Sequence, residues 1–313
     1  MKHVLVVGGA GFIGSHLCDA LLDKGYFVVC IDTLVRGKLE NIAHLKGNER
    51  FAFVEMDAGQ QADVEALLKK YNIEYVYHLA ANSDIQASAK DPQVEHDNTM
   101  QTTWALLSAM RNCDVKNMFF ASTSAVYGEQ CDKVLDEETT LLEPISYYGS
   151  AKMASEAFIQ AFSHMNDMNI LIFRFPNVIG SRLTHGVIFD FIGRLKADSS
   201  KLDVLGNGTQ SKPYMHVFDL IRGIMLLSES VNGVEIYNIG VESETNVRKI
   251  VEVVCSEMGL TGIPVNYGSE SIGWKGDVPH FQYNLDKIHA TGWMPHMTSD
   301  EVVLQTVKEA LKA

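Results

Sequence analysis

The sequence predicts an α/β fold in which helices cover both faces of a parallel sheet, followed by a smaller C-terminal α/β cap. Up to about residue 175, short apolar runs alternate with longer amphipathic stretches, and several runs are apolar without alternation. Such runs are typical of parallel strands that crossover helices bury on both sides. After Arg174 the pattern is less regular. We therefore expect a doubly wound, Rossmann-type domain over residues 1–175 and a second region over residues 176–313, with segments that interleave with the first.

Six apolar runs are the predicted strands of this sheet. They are His3–Val7, Phe27–Asp32, Ala52–Met56, Tyr75–Leu79, Asn117–Ser122 and Ile170–Phe173. The first helix is predicted at Ser15–Lys24, shortly after the first strand. Beyond Arg174, helices are predicted between glycine-containing turns, at Val217–Ser228, Asn246–Met258 and Ser299–Lys312.

Composition and charge exclude several classes of protein. The chain of 313 residues is 46% hydrophobic and 21% charged, which is typical of a globular protein. Its net charge of −13 disfavours binding to nucleic acid, and no apolar stretch reaches the roughly 20 residues of a membrane span. The 5 cysteines are far apart, which predicts reduced thiols and no metal site. We expect a cytoplasmic protein that binds neither nucleic acid nor membrane.

A glycine-rich loop follows the first predicted strand directly. Gly8, Gly11 and Gly14 occupy the three glycine positions of a GxxGxxG pattern, and an amphipathic helix begins at once. The first glycine permits a tight turn, the second lets backbone N–H groups approach a pyrophosphate, and the third lets helix and strand pack closely. This context predicts a dinucleotide-binding loop instead of a purely structural turn.

Acidic residues at the ends of the next two strands favour NAD over NADP. Asp32 ends the second predicted strand, where a carboxylate accepts hydrogen bonds from ribose hydroxyls and repels a 2′-phosphate. Arg36, four residues further on, would soften that preference. Asp57 follows the third strand and is expected near the adenine. A solvated acid at a strand end is the alternative interpretation of Asp32.

Tyr148 and Lys152 are the predicted catalytic pair. They are four residues apart and therefore share one face of a predicted helix. A nearby ammonium and a positive nicotinamide ring both favour the phenolate form of a tyrosine, which can then take a proton from a hydroxyl. The same spacing also occurs on many solvated helices. The hydroxyl cluster Ser122, Thr123 and Ser124, at the end of the fifth predicted strand, shifts the balance towards catalysis, although such hydroxyls also cap turns.

The chain resembles the extended short-chain dehydrogenase/reductase family, in its nucleotide-sugar epimerase and dehydratase branch. The resemblance rests on the order of four features along the chain: the glycine loop, the acid at Asp32, the hydroxyl cluster and the Tyr–Lys pair. The resemblance covers nearly the whole chain. Further matching segments are His78-Leu79-Ala80-Ala81, Asn98, Arg174-Phe175-Pro176-Asn177-Val178-Ile179-Gly180, Gly206-Asn207-Gly208-Thr209-Gln210 and Gly276-Asp277-Val278-Pro279.

The resemblance implies a role for each matching position. Tyr148 would be the acid/base, Lys152 would hold the nicotinamide ribose, and Thr123 would hydrogen-bond the reacting oxygen. The expected cofactor site, in addition to Tyr148 and Lys152, consists of Gly8, Gly11, Phe12, Ile13, Gly14, Asp32, Arg36, Asp57, Ala58, Leu79, Ala80, Ala81, Asn98 and Ser122. The expected substrate site consists of Thr123, Ser124, Tyr148, Asn177, Lys212, Trp274 and Lys275.

The chemistry that the resemblance implies is oxidation at C4 of a nucleotide-linked sugar by tightly bound NAD. We expect a 4-epimerase that serves surface-polysaccharide precursors. The main alternative is a net 4-dehydrogenase that releases the 4-keto sugar, for example on a GDP-heptose. A 4-reductase, a 4,6-dehydratase and a non-catalytic NAD-binding protein rank behind these. Dehydratases carry an Asp-Glu pair after the catalytic threonine, whereas this chain has Ser124 and Ala125.

Two further expectations concern the substrate anion and the assembly. Where family members often present arginines to the diphosphate, this chain has Lys212 at one place and Trp274 followed by Lys275 at the other. Lysine supplies a point charge instead of a bidentate fork, so the nucleotide and the sugar stay open. The resemblance also implies a homodimer through a four-helix bundle, formed by helices near Pro92–Asn112 and Tyr148–Met165.

Overall fold

The computed structural model describes residues 1–82, 85–130, 133–270, 276 and 278–312, with only the backbone of residues 85–87. The chain forms two compact units, and each is built from separate segments. The first comprises Met1–Gly128, Leu141–Phe175 and Ile221–Tyr237, and the second comprises Glu129–Thr140, Pro176–Leu220 and the residues from Asn238 onwards.

The strands are numbered along the chain. They are β1 (His3–Val7), β2 (Phe27–Asp32), β3 (Phe51–Glu55), β4 (Tyr75–His78), β5 (Asn117–Thr123), β6 (Val134–Leu135), β7 (Asn169–Phe175), β8 (Asn177–Ile179), β9 (Leu202–Val204), β10 (Ser211–Lys212), β11 (Tyr214–His216), β12 (Val234–Asn238), β13 (Thr245–Asn246), β14 (Val265–Tyr267) and β15 (Gln282–Tyr283).

The helices are numbered in the same way. They are α1 (Phe12–Asp23), α2 (Gln61–Tyr71), α3 (Ile85–Lys90), α4 (Gln93–Glu95), α5 (Thr102–Asn112), α6 (Tyr147–Asn166), α7 (Val187–Ala197), α8 (Val217–Leu227), α9 (Val247–Glu257), α10 (Asp286–His289) and α11 (Ser299–Lys312). A π-helical segment, His96–Gln101, joins α4 to α5, and 3₁₀ helices span Leu39–Leu45 and Ser124–Val126.

The first unit is built on a seven-stranded sheet in the order β12-β7-β5-β4-β1-β2-β3. Strands β1 to β5 and β7 pair in parallel. The central residues of all of them except β3, which is only partly buried, are almost fully buried because helices pack on the sheet. The strand order reverses between β1 and β4, which makes their carboxyl ends the crevice where ligands bind in such folds. The predicted doubly wound sheet is confirmed.

The strand predictions were accurate where the apolar runs were continuous. β1 and β2 have the predicted ends, and β5 and β7 are longer than predicted by one and three residues respectively. The seventh strand, β12, was not predicted. It lies at the edge of the sheet, carries Glu235 and is only partly buried over its first residues, so its apolar signal is weak.

The second unit has its own apolar core. Helices α7, α9 and α11 contribute buried residues to it, together with the short strands β9 and β11. The helices predicted after Arg174 are present, as α8, α9 and α11. Of the helices in the described ranges, none combines the length and apolar character needed to cross a membrane.

Candidate active site

The glycine loop between β1 and α1 forms a turn that side chains would obstruct. Gly8 has a φ of +80°, and a Cβ there would lie 2.9 Å from the backbone N of Ala80. A Cβ at Gly14 would lie 2.2 Å from the carbonyl O of Gly8. Since both obstacles are backbone atoms, which yield less easily than a side chain, the close packing of loop, helix and β4 end requires glycine at both positions.

The N-terminus of α1 is open to an anion. The residue before the helix, Gly11, offers no side-chain cap, so the first-turn N–H groups of Phe12, Ile13 and Gly14 have no partner within the helix. Such groups, together with the helix dipole, favour a phosphate. The predicted residues of the phosphate loop therefore come together in a form that fits a pyrophosphate.

Asp32 lies against this loop. One of its carboxylate oxygens accepts a hydrogen bond from Ala10 N at 3.0 Å and the other accepts one from Leu34 N at 2.9 Å. Burial raises the pKa of Asp32, and the backbone N–H groups that bind it oppose the rise. The loop thus orients the carboxylate at the end of β2, where a ribose would lie.

The other residues predicted around the adenosine differ in exposure. Ala58 is buried, whereas Asp57 is exposed and accepts a hydrogen bond from Gly59 N at 2.8 Å. Arg36 is exposed on the segment after β2. The chain after β3 is held close to Asp32, because Met56 N donates to the carbonyl O of Asp32 at 3.0 Å.

The end of β4 completes this side of the crevice. Leu79 N donates to Val7 O at 3.0 Å, so Leu79, Ala80 and Ala81 begin beside the glycine loop. His78 is fully buried, and burial lowers its pKa to about 3, so its ring is neutral. Its Nε2 donates to the hydroxyl of Thr103 at 3.0 Å, since that hydroxyl donates in turn to Thr99 O.

Helix α6 places Tyr148 and Lys152. Its first residue follows Ser146, whose hydroxyl accepts a hydrogen bond from Gly149 N at 3.1 Å. A Cβ at Gly149 would lie 2.5 Å from Ala125 O, so glycine there lets the helix pack on the 3₁₀ helix that follows β5. Tyr147 is 53% exposed, while Tyr148 is partly buried and its hydroxyl hydrogen-bonds with Thr123. The two adjacent tyrosines therefore have different surroundings.

Lys152 is only 2% exposed, although it carries a charge. Its Nζ donates to Ala121 O at 2.7 Å and lies 4.6 Å from the centre of the Phe120 ring. Burial lowers the pKa of Lys152 to about 8, while the carboxylates of Glu95 and Glu156 oppose the fall. The ammonium keeps two N–H groups without a protein acceptor among the described residues, which suits contacts with ribose hydroxyls.

The three hydroxyls at the end of β5 serve different purposes. Thr123 hydrogen-bonds with Tyr148, and its Oγ1 also accepts from Ala125 N at 3.2 Å. Ser122 is fully buried and donates to the carboxylate of Glu156, so its hydroxyl is directed into the protein. Ser124 is partly buried and begins the 3₁₀ helix. Only Thr123 is thus seen in contact with Tyr148.

Glu156 and Arg174 form a buried ion pair next to this cluster. Arg174 donates to the two carboxylate oxygens of Glu156 at distances between 2.6 and 3.2 Å, and also to the hydroxyl of Tyr127 at 2.9 Å. This pair ties α6 to β7 and to the chain after β5. It was not predicted as part of the site, although Glu156 follows Lys152 by four residues and hence shares its helix face.

In the helical segment formed by α4 and the π helix, the predicted cofactor residue, Asn98, is not one that the structure buries. Asn98 is exposed, and its side chain donates to Val94 O at 3.0 Å on its own helix, so the structure does not bring it to the cluster. Its neighbour Thr99 is fully buried. The hydroxyl of Thr99 donates to the buried carboxylate of Glu95 at 2.8 Å, and Asn82 donates to the same carboxylate at 2.8 Å.

The sequence analysis did not identify Glu95 and Thr99, because a polar stretch such as His96-Asp97-Asn98 is typical of a solvated surface. The four-residue spacing of Glu95 and Thr99 was the only available signal. The π helix, a feature often found at functional sites, is not predictable from this pattern.

The residues predicted for the substrate anion belong to the second unit or lie outside the described residues. Asn177 is exposed at the start of β8, which pairs with β11. Lys212 lies in β10 and pairs with Thr245 of β13. Trp274 and Lys275 lie outside the residues that the structure describes.

Comparison with known proteins identifies the family. The NAD dependent epimerase/dehydratase family matches residues 4–240. The chain belongs to this family. The resemblance seen in the sequence is thereby confirmed, and NAD is confirmed as the cofactor.

Three relatives illustrate the range of similar proteins. A putative UDP-glucose 4-epimerase from Methanocaldococcus jannaschii is 30% identical over 97% of both chains. The human dTDP-D-glucose 4,6-dehydratase is 28% identical over 98% of this chain and 89% of its own length. Among solved structures, a UDP-glucose 4-epimerase from Thermus thermophilus in complex with NAD superposes with a TM-score of 0.88, at 29% identity and over 100% of both chains.

Proposed function

We propose that the protein is a nucleotide-sugar 4-epimerase that works through a 4-keto sugar. The observation that carries the proposal is the cluster of Tyr148, Thr123 and Lys152 at the carboxyl end of β5, in the same unit as the phosphate loop. A phenol hydrogen-bonded to a second hydroxyl, with a buried ammonium one helical turn away, suits the removal of a proton from a sugar hydroxyl. The UDP-glucose 4-epimerases among the relatives support this choice of reaction.

Tyr148, Thr123 and Lys152 each have a separate role in the proposed reaction. NAD, when bound, would accept a hydride from C4 and return it to the other face of the 4-keto sugar. Tyr148 takes the proton of the C4 hydroxyl during oxidation and returns it during reduction. Thr123 hydrogen-bonds the reacting oxygen, and the Lys152 ammonium stabilises the phenolate and binds the ribose through its remaining N–H groups.

The same cluster disfavours dehydration. Elimination of the C6 hydroxyl needs a further acid and base near the sugar. The two residues after Thr123 are Ser124 and Ala125, and neither side chain has a carboxyl group. Epimerisation and net oxidation at C4 both need no more than Tyr148, Lys152 and Thr123, so the site residues alone do not separate these two reactions.

Product analysis separates them. Purified protein is incubated with UDP-glucose, and in parallel with other UDP-, dTDP- and GDP-sugars, and the products are identified by NMR. We expect the C4 epimer of one sugar with no net formation of NADH. A 4-keto product with stoichiometric NADH would replace the epimerase with the 4-dehydrogenase, and no reaction with any of these nucleotide sugars would refute the proposal.

We also infer that NAD is tightly bound. An enzyme that returns its hydride in each cycle gains nothing from releasing the cofactor. Mass spectrometry of the small molecules released on denaturation should therefore find NAD or NADH in the purified protein. It would also find any nucleotide sugar that remains bound, including an unusual one such as a GDP-heptose.

For the substrate, we propose that Asn177 and Lys212 contact the diphosphate. Lysine offers a mobile point charge, whereas arginine binds two oxygens at once. Lys212→Met should raise KM for the nucleotide sugar and leave NAD binding unchanged. Equal effects on both would remove this assignment. Trp274 and Lys275 are proposed for the same site.

We further propose a cytoplasmic role in making surface-polysaccharide precursors.

Finally, we propose a homodimer through α5 and α6. Leu106, Leu107 and Met110 of the predicted interface lie in the core of the first unit, so they are not available for a partner. Trp104 is 41% exposed and packs against Phe158, leaving an apolar surface on the outer side of both helices. Trp104→Glu should convert a dimer into a monomer in analytical ultracentrifugation. A monomeric wild type at micromolar concentration would refute the dimer.

A further inference from the structure

Four charged side chains in this region, Lys152 of the catalytic pair among them, are almost fully buried. Two of them, Glu156 and Arg174, neutralise each other, because Arg174 donates to both carboxylate oxygens of Glu156. Ser122 adds a third donor to that carboxylate. The other two are Glu95 and Lys152, each 2% exposed, and these have no such direct partner among the described residues.

Among the described residues, the groups that hydrogen-bond to the carboxylate of Glu95 are neutral. Asn82 Nδ2 donates to one oxygen at 2.8 Å and the Thr99 hydroxyl donates to the other at 2.8 Å. Within the described ranges, no cationic side chain hydrogen-bonds to this carboxylate. Two neutral donors orient a carboxylate but do not cancel its charge, and a buried charge is stable only when an opposite charge is near.

Lys152 likewise has no directly bonded group of opposite charge among the described residues. Its ammonium is bonded to one carbonyl oxygen, Ala121 O, and lies over an aromatic ring. Helix α4, which ends at Glu95, and the π helix after it both pack against α6. Burial lowers the pKa of Lys152, and the carboxylates of Glu95 and Glu156 oppose that fall. Because Arg174 already balances Glu156, Glu95 is the one of these two acids that has no cationic hydrogen-bond partner among the described residues.

We propose that Glu95 is the buried counter-ion of Lys152 and keeps its ammonium charged beside Tyr148. The inference rests on the proposed function, in which Lys152 stabilises the Tyr148 phenolate. Glu95 is then a positioning residue that acts through Lys152. The π helix has a definite role in this arrangement: it begins directly after Glu95 and contains Thr99, the residue that holds the Glu95 carboxylate in place.

The proposal has a definite consequence for pH dependence. Burial raises the pKa of Tyr148 and lowers that of Lys152, and the Glu95 carboxylate raises both pKa values. The other titratable or charged groups that face the pair from the described elements are His78 of β4, which is neutral, and Glu156 of α6, which is balanced by Arg174 of β7. Proton removal by Tyr148 sets the acid limb of the rate profile and loss of the Lys152 charge sets the alkaline limb, so neutralising Glu95 moves both limbs to lower pH.

The test is the pH profile of hydride transfer from UDP-glucose in a single turnover, followed as enzyme-bound NADH absorbance. Glu95→Gln should move the alkaline limb down by about one pH unit or more. Glu95→Asp keeps the charge and should retain a profile near that of the wild type. Asp97→Asn, an exposed acid two residues away, is the matched control and should leave the profile unchanged.

If Glu95 had a purely structural role, the two variants would rank in the opposite order of damage. The shorter Asp would lose the contacts with Asn82 and Thr99, so Glu95→Asp would be more damaging than the isosteric Glu95→Gln, and neither would move the profile. That result would overturn the proposal. If Glu95→Gln does not fold, the double variant Glu95→Gln/Lys152→Met decides: it should regain folding if the two charges balance, and its failure to do so would equally overturn the proposal.

A second measurement needs no substrate. In protein labelled with [¹³Cε]lysine, the resonance of Lys152, identified by its absence from Lys152→Met, should titrate near pH 8 in the wild type. In Glu95→Gln it should titrate at least about one unit lower. An unchanged titration would overturn the counter-ion role. If the wild type acts on no nucleotide sugar, the proposed function fails, and this titration still decides the role of Glu95.

Discussion

The glycine loop and the proposed catalytic cluster both lie at the carboxyl end of the same sheet, but they are assembled from the chain in different ways. The loop and its partner Asp32 come from one β-α-β unit of 30 residues, β1-α1-β2. The cluster takes Thr123 from β5, Tyr148 and Lys152 from α6, and Glu95 from the end of α4. The loop depends on local backbone geometry, whereas the cluster depends on the packing of distant elements and on balanced buried charges. Substitutions in the two regions should therefore fail in different ways.

The largest effect is expected in the ion pair that supports the cluster. Glu156→Gln leaves Arg174 buried without its counter-charge, which should cost about 3–5 kcal/mol of unfolding free energy. Chemical denaturation measures this change. The matched control is Glu252→Gln in the exposed pair Glu252–Lys249, which should change stability by less than about 1 kcal/mol. Equal effects would mean that the buried pair is not an important support of the cluster.

The next effect is chemical. Tyr148→Phe removes the acid/base but keeps the ring, so turnover should fall by about a hundredfold or more, while the fold and bound NAD stay intact. Tyr147→Phe is the natural control, because Tyr147 points to solvent from the preceding position. Single-turnover NADH absorbance with UDP-glucose measures both. Loss of oxidation in Tyr147→Phe with retention in Tyr148→Phe would show that the assigned tyrosine is wrong by one residue.

A substitution in the loop should act on binding and stability together. The methyl group in Gly14→Ala would collide with Gly8 O and the Gly9 Cα, so the loop must open, at a cost of about 1–3 kcal/mol. Loss of co-purifying NAD and a lower denaturation midpoint are the expected readouts. Gly193→Ala is the control, because a Cβ there meets nothing within 4 Å and alanine favours the helix. Intact NAD content in Gly14→Ala would contradict the assigned loop geometry.

The smallest effect concerns cofactor choice. Asp32→Ala removes the carboxylate at the end of β2 and should weaken NAD binding by about tenfold, or about 1.4 kcal/mol. NADP should lose less, because it no longer meets a negative charge. Isothermal titration of cofactor-free protein measures both affinities, with the exposed Asp23→Ala as control. Wild-type protein that binds NADP at least tenfold more tightly than NAD would remove the role of Asp32.

Features that lie close together in the chain were predictable from the residue pattern. The glycine spacing, the buried β1 and β2 and the acid at Asp32 are contiguous, and each depends on short-range sterics or apolar periodicity. The Tyr148 and Lys152 spacing likewise placed both residues on one helix face. By contrast, the edge strand β12 and the bounds of the segments that interleave, though not the interleaving itself, depend on pairings between distant parts of the chain, which periodicity does not encode.

Asn98 and Glu95 show this limit at the level of single side chains. They are three residues apart in a polar stretch, and the residue pattern gave no reason to prefer the buried one. The π helix and the packing on α6 decide which of them is inside: Asn98 faces solvent and Glu95 is buried. The direction of a helical side chain depends on the register of its helix against its neighbours, and a single π turn changes that register.

The sequence by itself determined the fold class, the glycine loop and the placing of the candidate Tyr–Lys pair on one helix face, because each is set by residues close together in the chain. Only the tertiary structure decided which carboxylates lie buried near that pair, that Ser122 is directed to Glu156, and that the hydrogen-bond donors of Glu95 among the described residues are neutral. The physical reason is that desolvation and charge balance depend on everything that surrounds a side chain, and that surrounding comes from strands and helices far apart in sequence.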